Sequence, residues 1–362
     1  MGRRNRKVGK LDDDKQIAPE FAVQKTLKMR HRRWWKRRLL RLGCLGIVAL
    51  SIVLAVLLVT STVMTKVAEQ QNVCQPDEEA PVITINGDEI ITLVAGRGEY
   101  TELGATAIDA CGEVAVEMEG EVDVNTAGVY RVFYSATDNF GNAAKVRRKI
   151  NVLEYHGTIY LTFDDGPGDY TAMLLDVLAK YNIKATFFVT NNGDDAIIAR
   201  EYDEGHAIGL HTASHNYAYI YASVDNFWAD LIAVQERVAR ITGYTSKLMR
   251  FPGGSSNLVS RNYDGGKHIM SALTALMDER GFNYFDWNVD SKDAGGATTA
   301  DEVYNNVISA LKIGGESVVL QHDVKSFSVE AVERIVQYGI DNGFIFEKLT
   351  ADSFNAHHGV NN

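Results

Sequence analysis

The chain is 362 residues long and 46% of its residues are hydrophobic, which allows two domains with apolar cores. Its formal net charge is −10, yet residues 1–42 alone carry fifteen Lys and Arg against four Asp and Glu. The remaining residues are therefore strongly acidic, which argues against nucleic acid as the partner of the main body. A charge difference of this kind between two segments indicates that they lie in different surroundings.

Residues 43–65 are predicted to form a single-pass membrane anchor. Gly43 to Met64 is a run of 22 residues without a charged side chain, long enough as a helix to span the roughly 30 Å of a bilayer's hydrocarbon core. A cleaved signal peptide is the alternative, but the preceding basic region is too long for one and no clear cleavage site follows. The positive-inside rule places the tail, residues 1–42, in the cytoplasm and the chain beyond the anchor outside, and the basic residues beside the anchor suit anionic lipid.

The cysteines after the predicted anchor lie where disulfides persist. Cys74 and Cys111 are on that outer side, whereas Cys44 lies at the cytoplasmic edge of the anchor. A Cys74–Cys111 disulfide would tie the start of the next domain to its middle. Two separate thiols are the alternative.

Residues 79–153, after a linker at 66–78, are predicted to form a small antiparallel β-sandwich. The stretch AAKVRRKINV alternates polar residues with apolar ones such as Val146 and Ile150, and Arg148 is the one break on the inner face. Over its full length the segment resembles the immunoglobulin-like modules of bacterial surface proteins. It shows no catalytic constellation, so a spacer is the simplest interpretation, with glycan or protein binding as the alternative.

Residues 155–350 alternate between strand and helix patterns, and a short C-terminal tail, 351–362, follows them. About seven strands and six helices can be read from this part of the chain. That alternation predicts parallel strands, either in a (β/α) barrel or in an open doubly wound sheet. In barrels of this kind, the active site is built at the carboxyl ends of the strands.

Ionisable residues stand at five of the predicted strand exits. Each alone has an ordinary explanation, such as a turn-forming Asp-Gly-Pro or an incidental His-x3-His. Five in series are not expected by chance, and their types complement one another. In chain order, the exits carry Asp164-Asp165, His211 with His215, Arg250, Asp290 with Asp293, and His322-Asp323.

One carboxylate and two imidazoles are a familiar ligand set for a divalent cation, with positions left open for water and substrate. His211 and His215 are close enough in sequence to bind one ion together with Asp165. Asp164 would then stay free to take a proton from the attacking water, and Arg250 is a candidate counter-charge for it.

The same set contains a candidate acid. His322 is the only other imidazole at a predicted strand end, so it can protonate the leaving group, and Asp290 can keep it protonated by pairing with it. The predicted chemistry is metal-assisted hydrolysis of an amide or an ester.

The stretches TFDDGP, HTASHN, RFPGGS, DWNVDSKDA and LQHD resemble, in order, the five motifs of the polysaccharide deacetylases, the NodB-like carbohydrate esterases. The resemblance covers roughly residues 155–350. It implies a distorted (β/α) barrel that uses a divalent metal to remove acetyl groups from N-acetylglucosamine units of peptidoglycan, chitin or related glycans.

The resemblance also implies a role for each matching residue. The roles are Asp164 as the base, Asp165, His211 and His215 as metal ligands, Arg250 as the residue that positions the base, His322 as the acid, Asp290 as its partner, the backbone N–H of Gly253 as the oxyanion donor, and Leu320 as the floor of the acetyl pocket.

Two positions depart from the pattern of the family. Ala294 stands where many members have Trp, which removes one wall of the acetyl pocket unless Trp287 or another aromatic residue replaces it. Gly253 stands where an aromatic residue is common, which opens the groove and leaves the backbone donor in place.

The sequence therefore predicts a membrane-anchored, extracytoplasmic deacetylase of cell-wall glycan, with peptidoglycan as the leading substrate. A chitin-like polymer, an exopolysaccharide, or another ester or amide is the alternative substrate, and a catalytically inactive wall-binding scaffold is the alternative of another class. The expected cofactor is one divalent ion, Zn²⁺ first and Co²⁺, Ni²⁺ or Mn²⁺ as alternatives. No nucleic-acid partner is expected.

Overall fold

The computed structural model describes residues 52–61 and 75–361. Residues 52–61 are helical (α1), and among the described residues no helix is both long and apolar enough to cross a bilayer. The basic tail and most of the segment 43–65 lie outside the described residues, so the anchor stays a prediction.

Seven strands form two small sheets in the predicted sandwich. One sheet has the order β1-β3-β4 and the other β2-β7-β6-β5; β2 and β7 are parallel, whereas the other pairs are antiparallel as expected. The strands are Val82–Ile85 (β1), Ile90–Val94 (β2), Ala105–Asp109 (β3), Gly112–Val114 (β4), Val116–Glu119 (β5), Gly128–Thr137 (β6) and Ala143–Leu153 (β7).

Arg148 is buried on the inner face of this sandwich, where it breaks the alternation of β7. Its guanidinium forms an ion pair with Glu102 and donates to the backbone carbonyl of Asp88 at 3.0 Å. Burial of the charge is tolerated because the charge is paired. Cys111 is disulfide-bonded, but Cys44 and Cys74 lie outside the described residues, so the pairing with Cys74 stays a prediction.

A third sheet, of eight strands that are all parallel, follows. Its order is β12-β11-β10-β9-β8-β14-β13, and β15 pairs with the first half of β8. The strands are Gly157–Asp164 (β8), Thr186–Val189 (β9), Ala207–Leu210 (β10), Leu248–Met249 (β11), Asn283–Tyr284 (β12), Val289–Asp290 (β13), Gly315–His322 (β14) and Phe344–Phe346 (β15).

Helices join these strands and cover the sheet, which gives a half-barrel of parallel strands rather than a closed barrel. The described helices are Thr171–Lys180 (α2), Asp195–Asp203 (α3), Tyr217–Ile220 (α4), Val224–Thr242 (α5), Ile269–Arg280 (α6), Ala300–Ala310 (α7) and Ser326–Asp341 (α8). Their apolar sides and the sheet form the main core.

The sheet has eight strands rather than about seven because the stretch YFDWNV, residues 284–289, does not form one strand. Its first part belongs to β12 at one edge of the sheet, and its last part belongs to β13 at the other edge. The guanidinium of Arg250 holds the segment between these two strands by donating to the carbonyls of Phe285 and Asp286 at 3.0 and 2.9 Å. A buried cation thus satisfies two backbone carbonyls where the chain leaves β12.

The central strand β8 is buried along its whole length. Ile159, Leu161 and Phe163 contribute to the main core under the helices, so the alternate residues Thr162 and Asp164 lie on the opposite, inner face. This alternation places the first aspartate of the pair inside the half-barrel, at the carboxyl end of the strand.

Candidate active site

Asp164 and Asp165 are brought to one side of the strand end by a change in backbone direction. Asp164 is the last residue of β8, and Asp165 has φ 74, which reverses the chain directly after the strand. A Cβ atom on Gly166 would lie 2.2 Å from Oδ2 of Asp323, so only glycine fits at the turn. The glycine of the DDG stretch is therefore required by the packing of Asp323 beneath the turn.

Asp165, His211 and His215 come together as the sequence predicts. Oδ1 of Asp165 lies 3.6 Å from Nε2 of His211 and 3.4 Å from Nε2 of His215. Left-handed backbone at Thr212 and at His215 turns the chain after β10 so that the second imidazole returns to the first.

These three side chains fit a divalent cation. Their donor atoms lie within 4.8 Å of one another. Oδ1 of Asp165 is buried and has no hydrogen-bond partner among the described residues, an arrangement that is costly unless another group satisfies the oxygen. One carboxylate oxygen and two imidazole nitrogens are a chemically suitable set for a first-row ion.

His211 is held in the tautomer that a metal ligand needs. Its Nδ1 donates to the carbonyl oxygen of Arg250 at 2.9 Å, so the lone pair of Nε2 points towards Asp165. Burial lowers the pKa of His211 to about 3, so the ring stays neutral at ordinary pH.

Arg250 is fully buried and contacts Asp164 directly, as the sequence predicts. Its Nη1 donates to Oδ1 of Asp164 at 2.8 Å and to Oγ1 of Thr162 at 2.7 Å. Its guanidinium also lies 4.3 Å from the ring centroid of Phe188, a cation–π contact. Burial raises the pKa of Asp164, whereas the charge and hydrogen bond of Arg250 oppose that rise.

His322 is paired with Asp293, not with Asp290 as predicted. Nδ1 of His322 lies 2.7 Å from Oδ1 of Asp293, whose Oδ2 accepts the backbone N–H of His322 at 2.7 Å. Asp290 is exposed, and its side chain caps the turn by accepting the N–H of Lys292 at 2.8 Å. The turn that Asp290 stabilises carries the chain back so that Asp293 is buried beneath the imidazole.

The Asp293 contact sets the protonation of His322. Burial acts to lower the pKa of His322, but the hydrogen bond and charge of Asp293 outweigh it and raise the pKa to about 9. Nε2 of His322 lies 4.0 Å from Oδ2 of Asp165, so this second ring nitrogen is directed into the site. The imidazole can therefore donate a proton there.

The backbone N–H of Gly253 is oriented by a residue that the sequence did not single out. Gly254 N donates to Phe251 O at 2.8 Å and Gly253 has φ 78, a turn that favours Pro-Gly at its centre. Tyr221, fully buried, donates its hydroxyl to Pro252 O at 2.7 Å. The peptide bond between Pro252 and Gly253 is trans, so the N–H of Gly253 points away from the carbonyl that Tyr221 binds. Within the described residues this N–H has no acceptor.

The converging residues line one cavity of about 320 Å³. Tyr217 forms one wall, with its ring edge-on to His215 at 5.3 Å. Trp287 and Leu320 also line it, together with the exposed Ala294. All residues with a predicted role at this site line this cavity except Arg250, which lies behind Asp164.

Two comparisons bear on the family of this site. Residues 154–265 match the sequence model of the family described as polysaccharide deacetylase. A peptidoglycan-N-acetylglucosamine deacetylase of Bacillus cereus is 33% identical over 206 residues, which are 54% of this chain and 70% of that protein. The chain belongs to the polysaccharide deacetylase family. The predicted resemblance and the predicted enzyme class, a hydrolase of amide bonds, are thereby confirmed.

The names of other relatives of this deacetylase mention different polymers, chitin in one case and peptidoglycan in another. A chitin deacetylase of Colletotrichum lindemuthianum is 33% identical over 187 residues, 48% of this chain and 69% of that protein. A solved structure is also similar: the catalytic domain of a peptidoglycan N-acetylglucosamine deacetylase from Eubacterium rectale, which is 49% identical in sequence. The match covers 57% of this chain and 94% of the Eubacterium rectale chain, with a TM-score of 0.54. Residues 83–152 match the bacterial surface protein Ig-like domain, which confirms the second resemblance.

Proposed function

We propose that the protein is a metal-dependent deacetylase of N-acetylglucosamine units in peptidoglycan, anchored to the cell membrane with its catalytic domain outside. The observation that carries the chemical part is the position of Asp165, His211 and His215 beside the Arg250-bound Asp164 in a single cavity. The names of the relatives from Bacillus cereus and Eubacterium rectale support the substrate.

Asp165, His211 and His215 would hold the divalent ion. Such an ion, when bound, supplies Lewis-acid chemistry that polarises the acetyl carbonyl group and makes water easier to deprotonate. A carboxylate and two imidazoles accept Zn²⁺ and also Co²⁺, Ni²⁺ or Mn²⁺. We take Zn²⁺ as the first ion to test.

Asp164 acts as the base in this proposal. It accepts a proton from the water whose oxygen forms the new bond to the acetyl carbon. Its buried position raises its pKa, which makes it a stronger proton acceptor, and Arg250 fixes the carboxylate in place. The N–H of Gly253 donates to the carbonyl oxygen as negative charge develops there.

His322 completes the reaction as the acid. Its Nε2 gives a proton to the sugar nitrogen as the carbon–nitrogen bond breaks, and the products are acetate and a glucosamine unit. Asp293 keeps His322 protonated until that step. Asp164 thus accepts the proton that the water loses, and His322 supplies the proton that the sugar nitrogen gains.

Replacing Asp293 by Asn tests the acid. We expect a lower pKa for His322, because an amide supplies no negative charge, and the alkaline limb of the kcat/KM profile should move to lower pH. The pH dependence of acetate release measures this shift. Asp290→Asn is the matched control, since Asp290 is exposed and does not touch the imidazole, and an equal shift in both variants would contradict the assignment.

The substrate is tested by a panel of polymers. The full-length protein should release acetate fastest from peptidoglycan, more slowly from chitin oligomers, and least from acetylated xylan, whose acetyl groups are esters. The predicted anchor favours peptidoglycan because that polymer lies within reach of a membrane-bound domain. A clear preference for chitin oligomers or for xylan would overturn the substrate and leave the chemistry in place. No release from any polymer would favour the scaffold alternative.

A further inference from the structure

We propose that His358 is a positioning residue that fixes Trp287 as the wall of the acyl subsite and thereby sets the selectivity for the acyl group. The inference rests on the proposed function. His358 lies in a segment beyond residue 265, where the match to the deacetylase family model ends. This segment, residues 351–361, packs against the rim of the cavity and is called the C-terminal segment below.

His358 contacts Trp287 in two ways. Its Nε2 lies 2.6 Å from the carbonyl oxygen of Trp287, so it donates to that backbone. Its ring also meets the indole edge-on, with the centroids 4.8 Å apart and the planes at 77°. Its Nδ1 lies 3.2 Å from Oγ of Ser256, so both ring nitrogens have partners. The imidazole is therefore held on both sides, and it fixes the backbone and the ring of Trp287 together.

The same segment holds the turn that carries the oxyanion donor. The backbone N–H of His358 donates to Oδ2 of Asp286 at 2.8 Å. Asp286, which is fully buried, also accepts the N–H of Ser255 at 2.8 Å and its hydroxyl at 2.5 Å. Asp286 thus links the C-terminal segment to the residue that follows Gly253-Gly254.

Trp287 is packed directly against this turn. A Cβ atom on Gly254 would lie 3.0 Å from Cη2 of the indole, so the close approach depends on glycine at φ 79. Trp287, Leu320 and Ala294 are the apolar side chains that line the cavity apart from Tyr217, which lies beside His215. The methyl group of an acetyl substrate is therefore expected between Trp287 and Leu320, because Ala294 is too small to form a wall.

Acyl selectivity follows from this arrangement. A pocket closed by a fixed indole should reject a longer acyl group, and one methylene in a shaped apolar pocket is typically worth roughly 10- to 200-fold in kcat/KM. If His358 is lost, the indole gains freedom and the pocket should admit the longer group. Binding of the sugar itself should change little.

The test compares chitosan oligomers that are re-acylated with acetyl or propionyl groups, using the full-length protein. We expect wild type to prefer acetyl by roughly tenfold or more in kcat/KM, and His358→Ala and Trp287→Ala to lose most of that preference. His358→Gln keeps a donor for the carbonyl of Trp287 and should recover part of it. His357→Ala is the matched control, since His357 stacks on Tyr284 at 3.8 Å and donates to the carbonyl of Tyr284 at 2.8 Å. His357→Ala should keep the wild-type ratio of kcat/KM for acetyl over propionyl, even if it is destabilised as much as His358→Ala.

An NMR measurement gives a result that does not depend on activity. The indole N–H resonance of Trp287, identified by its absence in Trp287→Phe, should shift or broaden in His358→Ala and stay in place in His357→Ala. A wild-type acyl ratio and an unmoved resonance in His358→Ala would overturn the proposal. Equal effects in both histidine variants would also overturn it, since they would assign the role to docking of the segment as a whole. Failure of wild type on every acylated oligomer, with the resonance moved as expected, would count against the proposed function and not against the role of His358.

Discussion

Replacing Asp164 by Asn is expected to lower kcat for acetate release by about 10²- to 10⁴-fold, the usual contribution of a positioned general base. The amide has nearly the shape of the carboxylate and can still accept a hydrogen bond from Nη1 of Arg250, which now lies 2.8 Å from Oδ1 of Asp164. It cannot accept a proton from water. Because Asp164 is not one of the three grouped donor residues, metal binding should remain.

Asp165→Asn is the contrasting variant. It changes the other carboxylate of the pair and should weaken metal binding as well as turnover, because Oδ1 of Asp165 lies closest to both imidazoles. Titration of each variant with the metal, alongside steady-state kinetics, separates the two effects. Wild-type turnover in Asp164→Asn, or loss of the metal from it, would contradict the division of work between the two aspartates.

Replacing Arg250 by Met is expected to lower the free energy of unfolding by about 3–5 kcal/mol and to abolish most activity. Methionine fills a similar volume but leaves the carboxylate of Asp164 buried, 3% exposed, without its counter-charge. Burial already raises the pKa of Asp164, and loss of Arg250 should raise it further. The destabilisation should therefore be present at pH values above the raised pKa and should diminish as the pH falls through it.

A double-mutant cycle isolates the ion pair from the other contacts of Arg250. Arg250 also donates to the carbonyls of Phe285 and Asp286, and those bonds are lost in both the single and the double variant. Adding Asp164→Asn to Arg250→Met should restore part of the stability, although not the activity, because the unpaired charge is removed. Strictly additive losses, measured by chemical denaturation, would show that the pair does not stabilise the fold.

Much of the site could be predicted because it is encoded at the ends of buried strands. A strand of period two fixes which face Asp164 occupies, and parallel strands bring their carboxyl ends to one edge of the sheet. The structure accordingly brings Asp165 to His211 and His215, and Arg250 to Asp164. The alternation along each strand and the parallel order of the strands were sufficient to predict these contacts.

The partner of His322 could not be predicted in the same way. Asp290 and Asp293 are the same residue type three positions apart, and only the turn between them decides which is buried. In the structure Asp290 caps the turn, because its side chain accepts the N–H of Lys292, two residues later. An Asp at the start of a turn commonly does this. That habit of Asp, applied to the sequence, would have favoured Asp293 as the partner.

Long-range packing accounts for the other differences. The YFDWNV stretch has the pattern of one strand, but its two ends pair with different neighbours at opposite edges of the sheet. Tyr221 has the pattern of a core aromatic residue, and nothing local indicates that its hydroxyl reaches Pro252. The C-terminal segment has no periodicity at all, and its contacts with Trp287 arise only from the folded half-barrel.

Metal removal and restoration test the central claim most directly. Acetate release from N-acetylglucosamine oligomers by the full-length protein should stop after thorough chelation and return when Zn²⁺ is added back. The His215→Ala variant should not recover at the same ion concentration, because one of its three donors is gone. Undiminished acetate release from metal-free protein would contradict the account, since Asp165, His211 and His215 would then have no part in the reaction.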